Sequence, residues 1–386
     1  MKSQKPHQET DPKDRVSVPQ KIAFGSGLIS YSIMNNGFNQ MLNVIFNVNF
    51  GVSPVLLGWI TALSRVYDAV SDPVMGSITD NTRSRWGRRR PYLALGGFLG
   101  GIFFASLWWA PQQQSDTFYF GWILVGALLL TTAFTIYSVP YIALSFEMSP
   151  DYHERTRVMA YKVGMGKLGG ILVGSLFWWT QRPIFDDTIE GMRYVGIGAG
   201  ILIFIISLVP TLFVRENPEV ATVARKQKKT PLLKSMKSTL SQPAFLIIIG
   251  LTLCLICSLN LVNFLGFYVS LYYIFDGVQR EAANVSLAAG FIGPVVGLLS
   301  IPVVTVTSSL IGKRRALACF LALAFIGSIL KWYLYTPAGP YLQLIPNALM
   351  GAGLGATWLL LNAMIPDVCD LDELKTGGNV QKVSQN

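Results

Sequence analysis

RVYDAVSDPVMGSITDNTRSRWGRRRP, the run from Arg65 to Pro91, decides how the rest of the chain is read. Its first half belongs to an apolar segment that begins near Pro54 and is long enough to cross a bilayer. Arg65, Asp68 and Asp72 stand at offsets of three and four, so a helix carries all three on one face. At about 1.5 Å per residue, Asp72 lies about 12 Å and Asp68 about 18 Å in from Asp80, near the middle of a roughly 30 Å hydrocarbon core. Each ionised group there costs roughly 2.5–3.5 kcal/mol, so the face must meet protein or water. Arg65 can neutralise Asp68 one turn away, and Asp72 remains the carboxylate most open to another cation. Two midplane carboxylates with one arginine suit a cation-coupled carrier. A buried ion-pair cluster that only locks helices together is the alternative.

The composition agrees with a membrane-embedded chain. Of 386 residues, 51% are hydrophobic and 13% charged, and the apolar residues come in long blocks. The net charge of +10 reflects basic residues confined to alternate loops, so nucleic acid is not an expected partner. Cys254, Cys257, Cys319 and Cys369 lie mostly in apolar segments, and His7 and His153 in polar ones, so neither a metal site nor a catalytic triad is expected. With no nucleophile–base pair in the spans, the reading is of a non-enzyme without cofactors.

Ten spans of helical length are expected, at about 21–47, 54–79, 91–111, 117–145, 158–180, 193–214, 243–274, 282–308, 316–336 and 341–365. They group as a cytoplasmic tail (1–20), a six-helix bundle (21–214), a basic linker (215–242), a four-helix bundle (243–365) and a second tail (366–386). The arginines of 83–90, Arg155 and Arg157, the linker and Lys313-Arg314-Arg315 fall on one side, with both termini cytoplasmic.

Span 1 carries Ser32, Asn36, Asn39/Gln40, Asn43 and Asn47 at steps of three or four, a neutral hydrogen-bonding face. Lining a sugar-sized aqueous cavity and bonding to another helix are the two readings of that face. Span 4 ends in TyrSerValProTyr (137–141), where Pro140 interrupts the ladder near Thr135 and Ser138. Lys162 opens span 5 about one turn inside, able to snorkel to the interface or to point into the cavity. Asn260 and Asn263 are the cavity candidates of span 7.

The two bundles echo each other. Gly87-Arg88-Arg89-Arg90 after span 2 matches Gly312-Lys313-Arg314-Arg315 after span 8, an offset of 312 − 87 = 225. Met148-Ser149-Pro150-Asp151 matches Met364-Ile365-Pro366-Asp367, an offset of 364 − 148 = 216. A duplicated pair of bundles around a midplane site is a carrier plan. By this symmetry the second half is about two helices short, and the chain reads as C-terminally truncated.

Gly76-x-x-x-Asp80 with Gly87-Arg88-Arg89 resembles the loop signature of the major facilitator superfamily. TyrAspAlaValSerAspPro (67–73), GlyArgArgArgPro (87–91), ValProTyrIleAlaLeu (139–144), GluArgThrArg (154–157) and IleProAspValCysAspLeuAspGlu (365–373) resemble the glycoside–pentoside–hexuronide:cation symporters, the melibiose-carrier family. The resemblance implies an all-α, polytopic major facilitator fold, with about ten of the usual twelve helices present. It implies symport of a sugar or glycoside with Na⁺ or H⁺ by a monomeric carrier of the cell (inner) membrane, working by alternating access. Asp68, Asp72 and Thr135 match the family's cation site. Ser32, Asn36, Asn43, Ser138, Lys162, Asn260 and Asn263 are the expected substrate contacts. Arg65, Asp80, Arg88 and Arg89 are the expected gating residues, with Asp80, Arg88 and Arg89 pairing across the bundles. Acidic residues that hold galactoside in melibiose carriers fall here near Ser32 and at Ser138, so melibiose is not the expected substrate. The rivals are a lysophospholipid-type carrier and a non-transporting remnant.

Overall fold

The computed structural model describes residues 14–149, 151–215 and 243–376. Helix is the only regular structure among them, in eleven α-helices interrupted or extended by short π and 3₁₀ turns. The chain divides into two compact units, Met1–Gln227 and Lys228–Asn386.

In the first unit, α1 (Val18–Ser32) passes through a π turn (Ile33–Gly37), α2 (Phe38–Leu42) and a second π turn (Asn43–Asn49) as one continuous rod. Then come α3 (Pro54–Asn81), α4 (Arg90–Leu107), α5 (Asp116–Glu147), α6 (Tyr152–Thr180) and α7 (Thr188–Phe213). The starts follow local chemistry. Pro54 and Pro91 open α3 and α4, where a missing N–H costs nothing. Ser115, Asp151 and Asp187 cap α5, α6 and α7 by accepting from Phe118 N, Glu154 N and Glu190 N. The rod of α1 packs on α6 and α7, α4 on α5 and α7, and α3 on α5. Small residues set the closest approach: a Cβ on Gly96 would stand 2.6 Å from Tyr137 N.

The second unit holds α8 (Pro243–Tyr268) with its π turn (Val269–Ile274), α9 (Gln279–Ile311), α10 (Lys313–Leu334), a 3₁₀ turn (Pro340–Gln343) and α11 (Leu344–Thr376). α11 is its centre, packed on both α9 and α10. Val304, Leu317, Phe320, Ala356 and Leu360 form the buried cluster between them.

Helix fills most of each of the ten expected stretches, and among the described residues six segments are long and apolar enough to cross a membrane by themselves: 90–107, 116–147, 188–213, 279–311, 313–334 and 340–361. The first rod, α3 and α6 are not among these six because they carry the asparagines, the Arg65–Asp72 charges and the two lysines.

Two boundaries differ from expectation. The segment after Ile365 is not a tail from its first residue: α11 runs on through Pro366 and ends at Thr376, before the Gly377-Gly378 pair. Residues 366–376 contain no glycine and mix leucine with charge, so one proline does not stop the helix. The N-terminal tail is likewise shorter than 1–20. Residues Val18–Gln20 are helical, and the chain just before them is strapped down: Ser149 Oγ donates to Asp14 O (2.8 Å) and Val16 N to Glu154 Oε1 (3.0 Å). The linker, apart from Arg215, and residues 1–13 lie outside the described residues.

Candidate functional site

Asp68 sits at the junction of α3 and α5. Thr135 Oγ1 donates to Asp68 Oδ1 (3.3 Å), and Ser71 Oγ lies 3.2 Å from the same hydroxyl and 3.3 Å from Asp68 O. Thr135 also lies against Asp72. One oxygen of the second carboxylate, Asp72 Oδ1, is buried with no hydrogen-bond partner. A buried acceptor without a donor is costly, and a carboxylate oxygen more so. Arg65 approaches Asp68 at 3.9 Å but is 56% exposed, so it only partly offsets the cluster. Counted on α3 alone, two carboxylates face one guanidinium, and the pocket of oxygens is one positive charge short.

Beside this pocket opens a solvent-connected cleft lined by Asn35, Asn39, Thr61, Ser64, Arg65, Asp68 and Thr131, with Met34, Phe38, Leu130 and Phe134 as its apolar wall. Amides and hydroxyls can exchange hydrogen bonds with a polyhydroxylated ligand, and the aromatic wall can meet the C–H face of a ring. Phe134 is held edge-on by Tyr31, with centroids 4.8 Å apart.

The structure does not bring all the expected substrate residues to this cavity. Ser32 is buried at 6% and packs against α6, where a Cβ on Gly169 would meet its hydroxyl at 2.9 Å; it serves helix packing rather than the cavity. Ser138 is 4% exposed and does not line the cavity either. Asn36 is exposed and Asn43 half-buried, and both stand outside the lining. Adjacent residues on a helix point about 100° apart, and the stripe toward Asp68 runs through Asn35 and Asn39 rather than through Ser32 and Asn36. Asn39 donates to Asn35 O at 2.7 Å. Lys162 lies over the Tyr141 ring at 5.2 Å and the Phe24 ring at 6.0 Å, which are stacked on each other. The side chains of Asn260 and Asn263, on α8, lie outside the described residues.

At the other end of α3 the gating residues gather around an acid that sequence reasoning missed. Glu147, 4% exposed at the end of α5, accepts from Arg88 Nη2 and from Arg89 Nε (2.8 Å). Asp80 pairs with both arginines from the exposed side, at 4.0 and 3.1 Å. These contacts all lie within the first unit, joining α3, α4 and α5, and are not the pairs across the bundles that were expected. A lone Glu at the end of a long apolar span was the available signal. Arg65 is also displaced from expectation: it belongs to the cavity, not to this rim. A second rim hub, Glu154, takes Lys21 at 2.6 Å and Arg157 at 3.1 Å. Burial alone would push its carboxyl up, but the donors Lys21, Val16 N and Arg157 outweigh that and hold it below the usual carboxylate value.

Comparison with known proteins gives the family. A family model described as MFS/sugar transport protein matches residues 23–384. An uncharacterized symporter, YnaJ, of Bacillus subtilis is 25% identical over 94% of this chain and 77% of its own length. The isoprimeverose transporter of Lactiplantibacillus pentosus is 22% identical over 85% of this chain and 67% of its own. Among solved structures, a D-xylose–proton symporter superposes with a TM-score of 0.55 at 16% identity, over 88% of this chain and 80% of that one. An apolar helical fold, a charged α3 and a match along nearly the whole length lead to one conclusion: the chain belongs to the glycoside–pentoside–hexuronide:cation symporter family of the major facilitator superfamily, a family of multi-pass membrane transporters.

Proposed function

We propose that this secondary transporter couples entry of a sugar or glycoside to a monovalent cation, Na⁺ or H⁺, by alternating access in the cell membrane. The observation that carries the reading is the buried, unpartnered Asp72 Oδ1 beside Asp68 and the Thr135 hydroxyl. Empty, the α3 cluster keeps an uncompensated negative charge at the depth where charge is most costly. A cation among Asp68, Asp72, Thr135 and Ser71 removes that charge, and only then can the bundle change face cheaply. Substrate sits in the neighbouring cavity, its hydroxyls on Asn35, Asn39 and Thr131. Since Asp68 lines both the cavity and the cation pocket, occupancy of one site favours the other. The Asp80–Arg88–Arg89–Glu147 cluster holds the cytoplasmic ends of α3, α4 and α5 in one arrangement, with both termini on that side. The chain acts as a monomer, with 21–214 and 243–365 as its moving bundles and 215–242 as the linker.

The test is uptake by proteoliposomes containing the purified chain. A panel of pentosides, hexosides and hexuronides is offered under a Na⁺ gradient or a pH gradient, with lysophospholipid as a competitor. Sugar accumulation that needs one of the gradients is the expected result. Displacement by lysophospholipid but by no sugar would move the assignment to a lipid substrate, and accumulation independent of both gradients would overturn coupling.

A further inference from the structure

We propose that the turn Thr82–Gly87, between α3 and α4, is a binding site for the headgroup of an anionic phospholipid. Arg83 and Arg85 stand exposed on it, and neither has an ion-pair partner among the described residues. Trp86 beside them is 53% exposed. The nearest acid in sequence, Asp80, is already engaged by Arg88 and Arg89, so the two outer guanidiniums are not balanced within the loop.

The loop is fixed in shape. Trp86 N donates to Ser84 Oγ (3.2 Å) and Gly87 N to Ser84 O (3.2 Å), while Gly87 takes φ of 99°, a conformation few other residues adopt. Thr82 Oγ1 is anchored to Ile78 O on α3 (2.8 Å) and to Tyr92 Oη on α4 (2.7 Å). The apolar span of α4 begins at Arg90, so the indole stands within about one turn of the depth at which hydrocarbon gives way to headgroups. Tryptophan prefers that depth. A guanidinium fork matches the oxygens of a phosphodiester, and two basic groups at the surface favour lipids of net negative charge.

The second unit shows that a connection at this place does not need such a loop. At the offset of 225 the five residues 307–311, Thr-Ser-Ser-Leu-Ile, remain helical, and Gly312 alone joins α9 to α10. The first unit gives up more than a turn of helix and presents two arginines and a tryptophan instead.

The experiment reconstitutes the full chain in nanodiscs of phosphatidylcholine with increasing phosphatidylglycerol, then counts retained lipid by native mass spectrometry. Arg83→Gln/Arg85→Gln is expected to lower the preference for phosphatidylglycerol by roughly fivefold per arginine, about 1 kcal/mol each. Arg83→Lys/Arg85→Lys keeps most of it and shows that the chain still folds. Arg280→Gln, an exposed charge at the start of α9, leaves it unchanged. Undiminished retention in the Gln pair overturns the proposal, as does an equal loss in the Arg280 variant. Displacement by millimolar inorganic phosphate would show a soluble-anion site instead and would also overturn it.

Discussion

The two units are copies in backbone and opposites in chemistry. In the first, the opening rod ends in a π turn closed by Phe50 N on Ile45 O and Val52 N on Phe46 O. In the second, Phe275 N bonds to Ser270 O and Gly277 N to Leu271 O, each 225 residues on. α3 begins at Pro54 and α9 at Gln279, again 225 apart, and Gly87 and Gly312 both take positive φ. Side chains then part company. At the positions of Arg65, Asp68 and Asp72 the second unit has Gly290, Gly293 and Gly297. Thr135, which bonds Asp68, corresponds by the 216 offset to Gly351, which packs on Gly293. One helix crossing therefore exists twice. In one copy it is filled by ionisable and hydroxyl groups, and in the other it is closed glycine against glycine. A duplicated scaffold kept its turns and placed its charge in one half only, so the charged crossing is where a ligand is to be sought.

The hardest way to break this contrast is to remove the charge. Asp72→Asn is expected to lower cation-driven uptake by about a hundredfold or more, since the amide cannot offer a second negative oxygen to the cation; initial uptake rates in proteoliposomes measure it. Uptake that kept its gradient dependence would reduce the α3 cluster to a structural feature, no different in role from its glycine counterpart.

The rim gives the next largest effect, and it belongs to the first unit. Lys21 and Glu154 are 8% and 1% exposed, so Glu154→Gln leaves a buried ammonium without its counter-charge and is expected to cost about 3 kcal/mol. Thermal unfolding in detergent measures it. The pH dependence has a definite sign. The Glu154 carboxyl is held below its ordinary value of 4.5, so its stabilisation is complete above that pH and is lost as pH falls through the lower folded-state value. The wild type should therefore lose melting temperature more steeply than Glu154→Gln below pH 4.5.

The second unit is tested through its glycines. A Cβ on Gly351 would stand 2.6 Å from Gly293 O, a backbone atom that cannot turn aside, whereas a Cβ on Gly293 meets nothing within 4 Å. Gly351→Ala should destabilise by about 1–3 kcal/mol as an overpacked contact. Gly293→Ala should be neutral or gain up to about 1 kcal/mol from helix propensity. Equal effects at the two positions would contradict the one-sided closure of this crossing.

Spans and duplication were legible because each rests on composition or on repeated spacing, whereas the partnership of Asp68 with Thr135, 67 residues away on another helix, came only through the family resemblance. The cavity wall was less legible. Asn36, Asn43 and Ser32 form one polar stripe of the rod, but the cleft is lined from Asn35 and Asn39, about 100° round the helix. With polar residues on both stripes, periodicity alone does not say which of them faces Asp68. Ser138 shows the converse limit: a polar residue inside a span is as readily buried between helices as turned to water. Glu147 needed tertiary information, because its two arginines lie 59 and 58 residues away in sequence.

The finest discrimination between the two crossings rests on Thr135. Its hydroxyl donates to Asp68 Oδ1 across 3.3 Å, a charged hydrogen bond worth about 1.5 kcal/mol, and it is a candidate neutral ligand for the cation. Thr135→Ala should raise the cation concentration for half-maximal uptake about tenfold, since 1.4 kcal/mol is a factor of ten. Sugar binding measured without the cation should stay within twofold, because Thr135 does not line the cavity. Thr135→Ser, which keeps the hydroxyl, should restore cation affinity. Loss of sugar binding without loss of cation affinity would instead assign the hydroxyl to the substrate, and the charged crossing would then differ from its glycine twin in only one of the two ways argued for it.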